Sequence, residues 1–210
     1  ARFLKNGAND FLHKPFSREE FFCRVSQNVD NLDLIGTLQD LATKDFLTGL
    51  SNRRHFFELA ERRIDGLHAA GRECAVATLD IDHFKKINDT WGHDGGDLAL
   101  KAVARALQSH MRPEDVVARF GGEEFVVLAG DLDADASRAY FEALRERIAG
   151  LTVELPDGRS FSLTTSIGVC RLPAGAPKVP MHTALNESDR QLYIAKAGGR
   201  NRVEMMVLAG

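Results

Sequence analysis

Two short stretches carry acids where a metal and a phosphate could meet. Leu79-Asp80-Ile81-Asp82 is an apolar run that ends in carboxylates. A carboxylate at a strand end can hold Mg²⁺, a hard cation that prefers oxygen ligands. The second stretch, Gly121-Gly122-Glu123-Glu124, joins two glycines to two more acids. Glycine lets backbone approach a ligand closely, and the N–H groups of such a turn are open to phosphate oxygens. The two acidic tips and the glycine turn together would make a metal–triphosphate site. Each alone is weak, since Asp-x-Asp is usually a solvated loop and Gly-Gly-Glu-Glu usually only a turn. Their joint occurrence with Phe84-Lys85-x-x-Asn88-Asp89 and Gly92-His93-Asp94-Gly95-Gly96-Asp97 gives them weight.

The elements that must position these residues can be read from periodicity and punctuation. Residues 8–16 read as a short strand that ends at a Lys14-Pro15 corner. Ser17 caps the next helix, with Glu20 completing a capping box. That helix runs to about Thr43 and carries Phe22, Val25, Val29, Leu32, Ile35, Leu38 and Leu41 as an apolar stripe. The stripe can pair with a second copy or pack on another domain, and both readings stand. Residues 45–52 form a loop. Asn52 caps a helix that ends at Gly71. Residues 74–81 read as a central strand and 95–111 as a helix. Two strands, 116–120 and 123–129, flank Gly121-Gly122, a strong hairpin signal because both turn positions need positive φ. A helix over 134–149 leads to strand 151–155, and the Asp157-Gly158 turn leads to strand 160–170. Residues 173–180 hold three of the six prolines and read as loop. A helix over 183–197 is closed by Gly198-Gly199, and a strand over 201–206 ends the pattern. Mixed order with several hairpins predicts an α+β domain with a largely antiparallel central sheet flanked by helices.

Composition bounds the function. At 44% hydrophobic and 27% charged residues, the 210-residue chain is a globular one with a sizeable core. No apolar run reaches the length of a membrane span, so no membrane insertion is expected. A net charge of -3 argues against binding a nucleic-acid polymer. Cys23, Cys74 and Cys170 are scattered, which points to reduced thiols and a cytoplasmic protein. The chain opens at Ala1 without Met, so an upstream portion is expected.

Four blocks carry a resemblance. Arg119-Phe-Gly-Gly-Glu-Glu-Phe125 resembles the signature turn of the GGDEF family of diguanylate cyclases. Asp45-x-Leu-Thr-Gly-Leu-x-Asn52-Arg53-Arg54, the run from Asp80 to Asp97, and Asp189-x-x-Leu-Tyr-x-Ala-Lys196-x-x-Gly-Arg200-Asn201 resemble its other blocks, in order, over about residues 43–206. The fold this implies is that of the nucleotidyl-cyclase and polymerase palm, with the domain at 44–210 and a stalk helix at 17–43. Residues 1–16 resemble the end of a response-regulator receiver domain, with Lys14 as its phosphoryl-sensing lysine.

The resemblance implies roles residue by residue. Asp80, Glu123 and the Ile81 carbonyl would ligate two Mg²⁺ ions per site, with Mn²⁺ able to substitute. Asn88 and Asp97 would read guanine, which suits an amide and an acid facing N1–H and N2–H₂. Phe84, Lys85 and Gly122 would contact the triphosphate. Lys196 and Arg200 would clamp phosphate from one helical face. Glu123 or Glu124 would take the proton of the attacking hydroxyl. His93 either contacts ligand or supports its own turn. Arg112-x-x-Asp115 stands where the family carries an inhibitory product site, and arginine suits the O6 and N7 edge of guanine. The implied reaction condenses two GTP into cyclic di-GMP and requires a homodimer, because one domain holds one GTP. Two alternatives remain: a silent module that binds GTP or cyclic di-GMP, and a structural dimerisation element.

Other residues read as packing or surface. Trp91 and the Phe56-Phe57 pair read as core, Cys74 and Cys170 as small buried hydrophobes, and His55 and His83 as surface histidines.

Overall fold

The computed structural model of the chain describes residues 11–208 apart from 13 and 176–178. It divides into two units, 1–43 and 44–210. In the first, helix α1 spans Arg18–Thr43. The Ser17 hydroxyl accepts from the Glu20 N–H at 3.0 Å, as the capping pattern predicts. No residue of α1 is buried within its unit, and Phe22, Leu38 and Leu41 lie exposed. The Lys14-Pro15 peptide is cis. Of the strand read over 8–16, residues 8–10 and 13 lie outside the described residues, and the other five are in no strand, which corrects that reading.

The second unit runs β1 (Ser51–Asn52), α2 (Arg53–Ala69), β2 (Cys74–Ile81), α3 (Phe84–His110), β3 (Val116–Gly121), β4 (Glu124–Gly130) and α4 (Ala134–Ala149). It continues with β5 (Thr152–Glu154), β6 (Ser160–Ser162), β7 (Thr165–Leu172), α5 (Met181–Ala197) and β8 (Val203–Val207). Six strands form one sheet in the order β1-β3-β4-β2-β7-β8. The three inner pairings are antiparallel and the two edge pairings parallel. The α+β class with a largely antiparallel centre is therefore the observed one.

Alternation along β2 sorts its side chains between two cores, since successive residues of a strand face opposite sides. Ala75, Ala77, Leu79 and Ile81 join Leu107, Phe125, Phe141, Leu144 and Ile148 on the α3–α4 side. Cys74 and Val76 join Phe56, Ala60, Val126, Leu128 and Cys170 on the side that includes α2 and α5. Thr78 and Asp80 continue this second row. Thr78 and Ser188 of α5 share a buried hydrogen bond of 2.7 Å. Helix α5 lies hard against β7 there. A Cβ on Gly168 would overlap the backbone nitrogen of Leu192 and the carbonyl oxygen of Ser188.

Three elements differ from the sequence reading. The helix read over 95–111 begins at Phe84 and kinks at Gly92, whose φ of 72° and ψ of 174° are non-helical. The glycine cluster thus bends one helix and does not precede it. The strand read over 160–170 is two strands. Ser160–Ser162 pairs with β5 in a separate two-stranded sheet, and Thr165–Leu172 enters the main one. The break comes where Leu163 turns into the core and Thr164 turns its hydroxyl to Asp82 at 2.7 Å. Within the 45–52 loop, Ser51 and Asn52 add a short parallel edge to β3.

Gly168→Ala is expected to destabilise the domain by roughly 3 kcal/mol, the upper range for overpacking, because backbone cannot yield as a side chain does. Urea denaturation measures this, and a native-like midpoint would show that α5 does not lie so close.

Candidate active site

The site is built at the end of β2. Asp80 is 6% exposed and lies opposite Glu124 of β4 and Ser166 of β7. The next residue, Ile81, donates its N–H to the Glu123 carbonyl at 3.4 Å. The strand tip and the glycine turn are thus joined by backbone, and the acids of two distant segments share one corner.

The hairpin turn is held from outside. Gly121 and Gly122 have φ of 153° and 47°, which β-carbon-bearing residues rarely adopt. The strand pairing runs Gly121 to Glu124, so Gly122 and Glu123 are the two turn residues, one position later than the sequence reading set them. Arg119 donates through Nε and Nη2 to the Gly122 carbonyl, at 3.0 and 2.7 Å. Its Nη1 reaches Asp45 at 3.1 Å, and Asp45 accepts from the Thr48 N–H and hydroxyl. One of the four sequence blocks, that of Asp45, therefore braces another through Arg119.

The other wall is α3. His83 precedes it with a left-handed φ of 57° and makes no side-chain cap bond. The first N–H groups of a helix have no intrahelical acceptor, so those of Phe84 and Lys85 lie where an anion is favoured. Phe84 is buried and Lys85 exposed. Past the Gly92 kink the helix turns back closely on its first segment. A Cβ on Gly96 would overlap the Asn88 amide oxygen, and one on Gly95 would crowd the Trp91 side chain. Half-buried Asn88 thus rests on the backbone beside exposed Asp97. His93 is exposed within the bend.

On the α5 side, Lys196 Nζ donates to Asp80 Oδ2 at 2.9 Å. Helix α5 closes in a Schellman turn, with Gly199 N–H to Lys196 O at 3.5 Å and Arg200 N–H to Ala195 O at 3.0 Å. Arg200 therefore lies past the helix in a left-handed conformation, φ 64°. The sequence reading set Lys196 and Arg200 on one helical face, and this geometry corrects it. Helix spacing cannot relate the two, because the chain has already turned.

Charge at the corner is concentrated. Burial pushes the Asp80 carboxyl above its usual range, the Lys196 ammonium opposes that rise, and Glu123 and Glu124 add to it. Both hairpin acids thus act on Asp80. Among the described residues no cluster of three His, Cys, Asp or Glu side chains forms a metal site. The expected donor set needs only two such side chains plus the Ile81 carbonyl. Its oxygen-only chemistry suits a hard divalent cation.

Sequence reasoning missed the role of Asp82. It is 5% exposed and accepts from the Thr164 and Ser166 hydroxyls, at 2.7 and 2.6 Å, and from the Asn201 N–H at 3.0 Å. It pins the strand tip to β7 and to the loop after α5. Its burial inside an Asp-x-Asp was the available signal, but the partners lie more than 80 residues on. His55 is half-buried, 3.3 Å from the Ser51 hydroxyl, which differs from the surface reading. His83 is exposed, and Trp91 stacks on Phe161 at 5.3 Å.

Arg112 and Asp115 lie at the foot of β3. They bond each other, with Arg112 Nη2 at 2.7 Å and Nε at 3.1 Å from the carboxylate. The sequence reading left both open to a guanine. In the structure each is already partnered, since a buried carboxylate is stable only with donors around it.

An acid-tipped central strand, a braced glycine hairpin and a cation from the last helix meet at this corner of the α+β domain. The profile of the diguanylate cyclase GGDEF domain matches residues 42–202. The probable diguanylate cyclase DgcC of Escherichia coli is 38% identical over 168 residues, 80% of this chain and 44% of that protein. The response regulator PleD of Caulobacter vibrioides is 37% identical over 209 residues, 95% of this chain and 45% of that protein. The chain spans less than half the length of both relatives. The crystal structure of the coiled coil and GGDEF domain of DgcB from Caulobacter crescentus, in complex with c-di-GMP, superposes with a TM-score of 0.79. It is 29% identical and matches over 91% of this chain and all of that one. The chain belongs to the GGDEF family.

Lys196→Met removes the cation from a buried carboxylate and is expected to cost about 1–3 kcal/mol at neutral pH. Asp80 then rises further above its unfolded value. Stability from a carboxyl with a raised pKa is present below that unfolded value and lost as pH rises through the folded one. The variant's deficit should therefore shrink on acidification, which urea denaturation across pH will show. A deficit independent of pH would mean that the pair is not electrostatic.

Proposed function

We propose that the chain is the catalytic part of a diguanylate cyclase, condensing two GTP into cyclic di-GMP and two diphosphates. The observation that carries this reading is the joining of Asp80 and Glu123 at one corner through the Ile81 N–H bond to the turn.

In this reading Asp80, Glu123 and the Ile81 carbonyl hold two Mg²⁺ ions, with Mn²⁺ as a substitute. Bound there, the ions would neutralise triphosphate charge and lower the pKa of the incoming 3′-hydroxyl. Asn88 and Asp97 take the guanine edge. Phe84 and Lys85 N–H groups and the Gly122 turn receive phosphate oxygens. Lys196 exchanges Asp80 for phosphate, and Arg200 reaches the same anion from the turn after the helix. His93 lines the approach. The 3′-oxygen of one GTP attacks the α-phosphorus of the other. The bond to diphosphate breaks, and Glu123 or Glu124 takes the hydroxyl proton. A second, symmetric attack closes the ring. Catalysis consists of positioning and charge neutralisation.

Two facing domains are needed, so the active species is a homodimer, with residues 17–43 as its stalk and 44–210 as the cyclase domain. Residues 1–16 are read as the end of a receiver domain. Arg112 and Asp115 form the inhibitory product site. No helix among the described residues is long and apolar enough to cross a membrane, and GTP as substrate points to the cytoplasm.

Incubation with GTP and Mg²⁺, with and without an imposed dimer, should yield cyclic di-GMP. Nucleotide bound but unconverted would favour a silent module, and no binding a structural element. Glu123→Gln should lower turnover by roughly 10²–10⁴-fold and weaken Mn²⁺ binding, with unchanged thermal unfolding. Retained turnover would refute the assignment. Arg112→Ala should raise product yield at high conversion, and an unchanged progress curve would mean that the motif is idle.

A further inference from the structure

Asp115 presents nothing to solvent, its side chain being 0% exposed. Its two oxygens accept four donors. Three come from Arg112: the backbone N–H at 3.0 Å, Nε at 3.1 Å and Nη2 at 2.7 Å. The fourth is the Tyr140 hydroxyl, at 2.7 Å. Three of these donors converge on Oδ2 and one lies on Oδ1, so Oδ2 is fully engaged. Three of the four donors belong to its own turn, whereas Tyr140 arrives from α4.

Tyr140 is firmly seated. Its ring lies 4.5 Å from the His110 ring and 5.2 Å from that of Phe141, and the Arg112 guanidinium stands 5.2 Å over it. Arg112 Nη2 also donates to the Gly130 carbonyl at 2.7 Å. Burial and the neighbouring carboxylate raise the Tyr140 phenol well above its usual range, so it stays a donor. Burial opposes ionisation of Asp115, yet the bonds from Arg112 and Tyr140 outweigh it and hold the carboxyl below its usual range.

We propose that Tyr140 is a latch on the product site: its hydroxyl occupies the position on Asp115 Oδ2 that a guanine N1–H or N2–H₂ would take when the base pairs with both carboxylate oxygens. The inference rests on Arg112-x-x-Asp115 being that site and names what sets its affinity. Binding then requires the latch to open. The apparent affinity is the intrinsic one reduced by the fraction of molecules that are open. Tyr140 is a positioning residue, acting through Asp115.

Calorimetric titration with cyclic di-GMP tests this on three proteins. Tyr140→Phe keeps the ring under Arg112 and removes only the hydroxyl. It should bind about tenfold tighter than the native chain, equivalent to ~1.4 kcal/mol. Arg112→Ala should bind far more weakly. Equal or weaker binding by Tyr140→Phe, with Arg112→Ala still impaired, overturns the latch and leaves the product site standing. Native binding that Arg112→Ala does not alter, or no native binding at all, overturns both. A measurement on the native protein guards against a misfolded variant. The chain has two tyrosines, so ¹³Cζ labelling resolves Tyr140. Its signal should move when cyclic di-GMP is added, and an unmoved signal at saturation overturns the latch.

Discussion

A carboxylate taken out of water must find positive charge or hydrogen-bond donors, or it will not stay ionised. Asp80 is where this constraint bears hardest on the fold. Burial at the end of the central strand raises its carboxyl, and two further acids on the hairpin raise it more. Lys196 supplies the compensation, from a helix 116 residues further along the chain. That single pairing explains why α5 must lie so close to the sheet. Gly168 has no side chain where α5 crosses β7, and Thr78 meets Ser188 one pleat from Asp80.

The same need organises the acids around it. Asp82 is satisfied by two hydroxyls and a backbone N–H, so it serves the architecture. Asp45 is satisfied by Thr48 and Arg119, and it holds the arginine that in turn holds the hairpin. Glu123 sits half-buried at the turn, and Glu124 faces solvent beside Asp80. The acids with local donors build the corner. Those left beside Asp80 are the ones with charge to offer a cation.

Legibility in the sequence followed the range of the interaction. The hairpin glycines, the caps and the apolar run of 74–81 act within a few residues, and they appeared in the structure as a turn, helix starts and a central strand, the turn one position later than the pattern set it. The Gly92 bend did not, because glycine clusters end helices more often than they bend them. Only the overlap of Gly96 with Asn88 shows that the two segments must touch. The split at 163–164 was hidden as well, since its cause is the distant Asp82. The candidate acids were legible by type, and their convergence was implied by resemblance. The partners that hold them, Lys196 on Asp80 and Arg119 on Gly122, could not be read from spacing.

The two sites share one logic with different reach. In each, an acid read as a ligand-binding group is engaged by a cation of the same chain: Lys196 on Asp80, Arg112 on Asp115. Under the proposed function, binding at either is an exchange of partners and not the filling of a bare charge. An exchange conserves most of the electrostatic energy, so it separates ligands by geometry more than by charge. At Asp80 the displaced ammonium stands within reach of the incoming phosphate, and substrate and cation support each other. At Asp115 the closing partners are Arg112 and Tyr140; the guanidinium would turn to the ligand as Lys196 does, whereas the tyrosine hydroxyl gains no such second role and its closure would work against the ligand. Under the proposed function, a corner that favours substrate and a turn that resists product would together let the domain run until product accumulates.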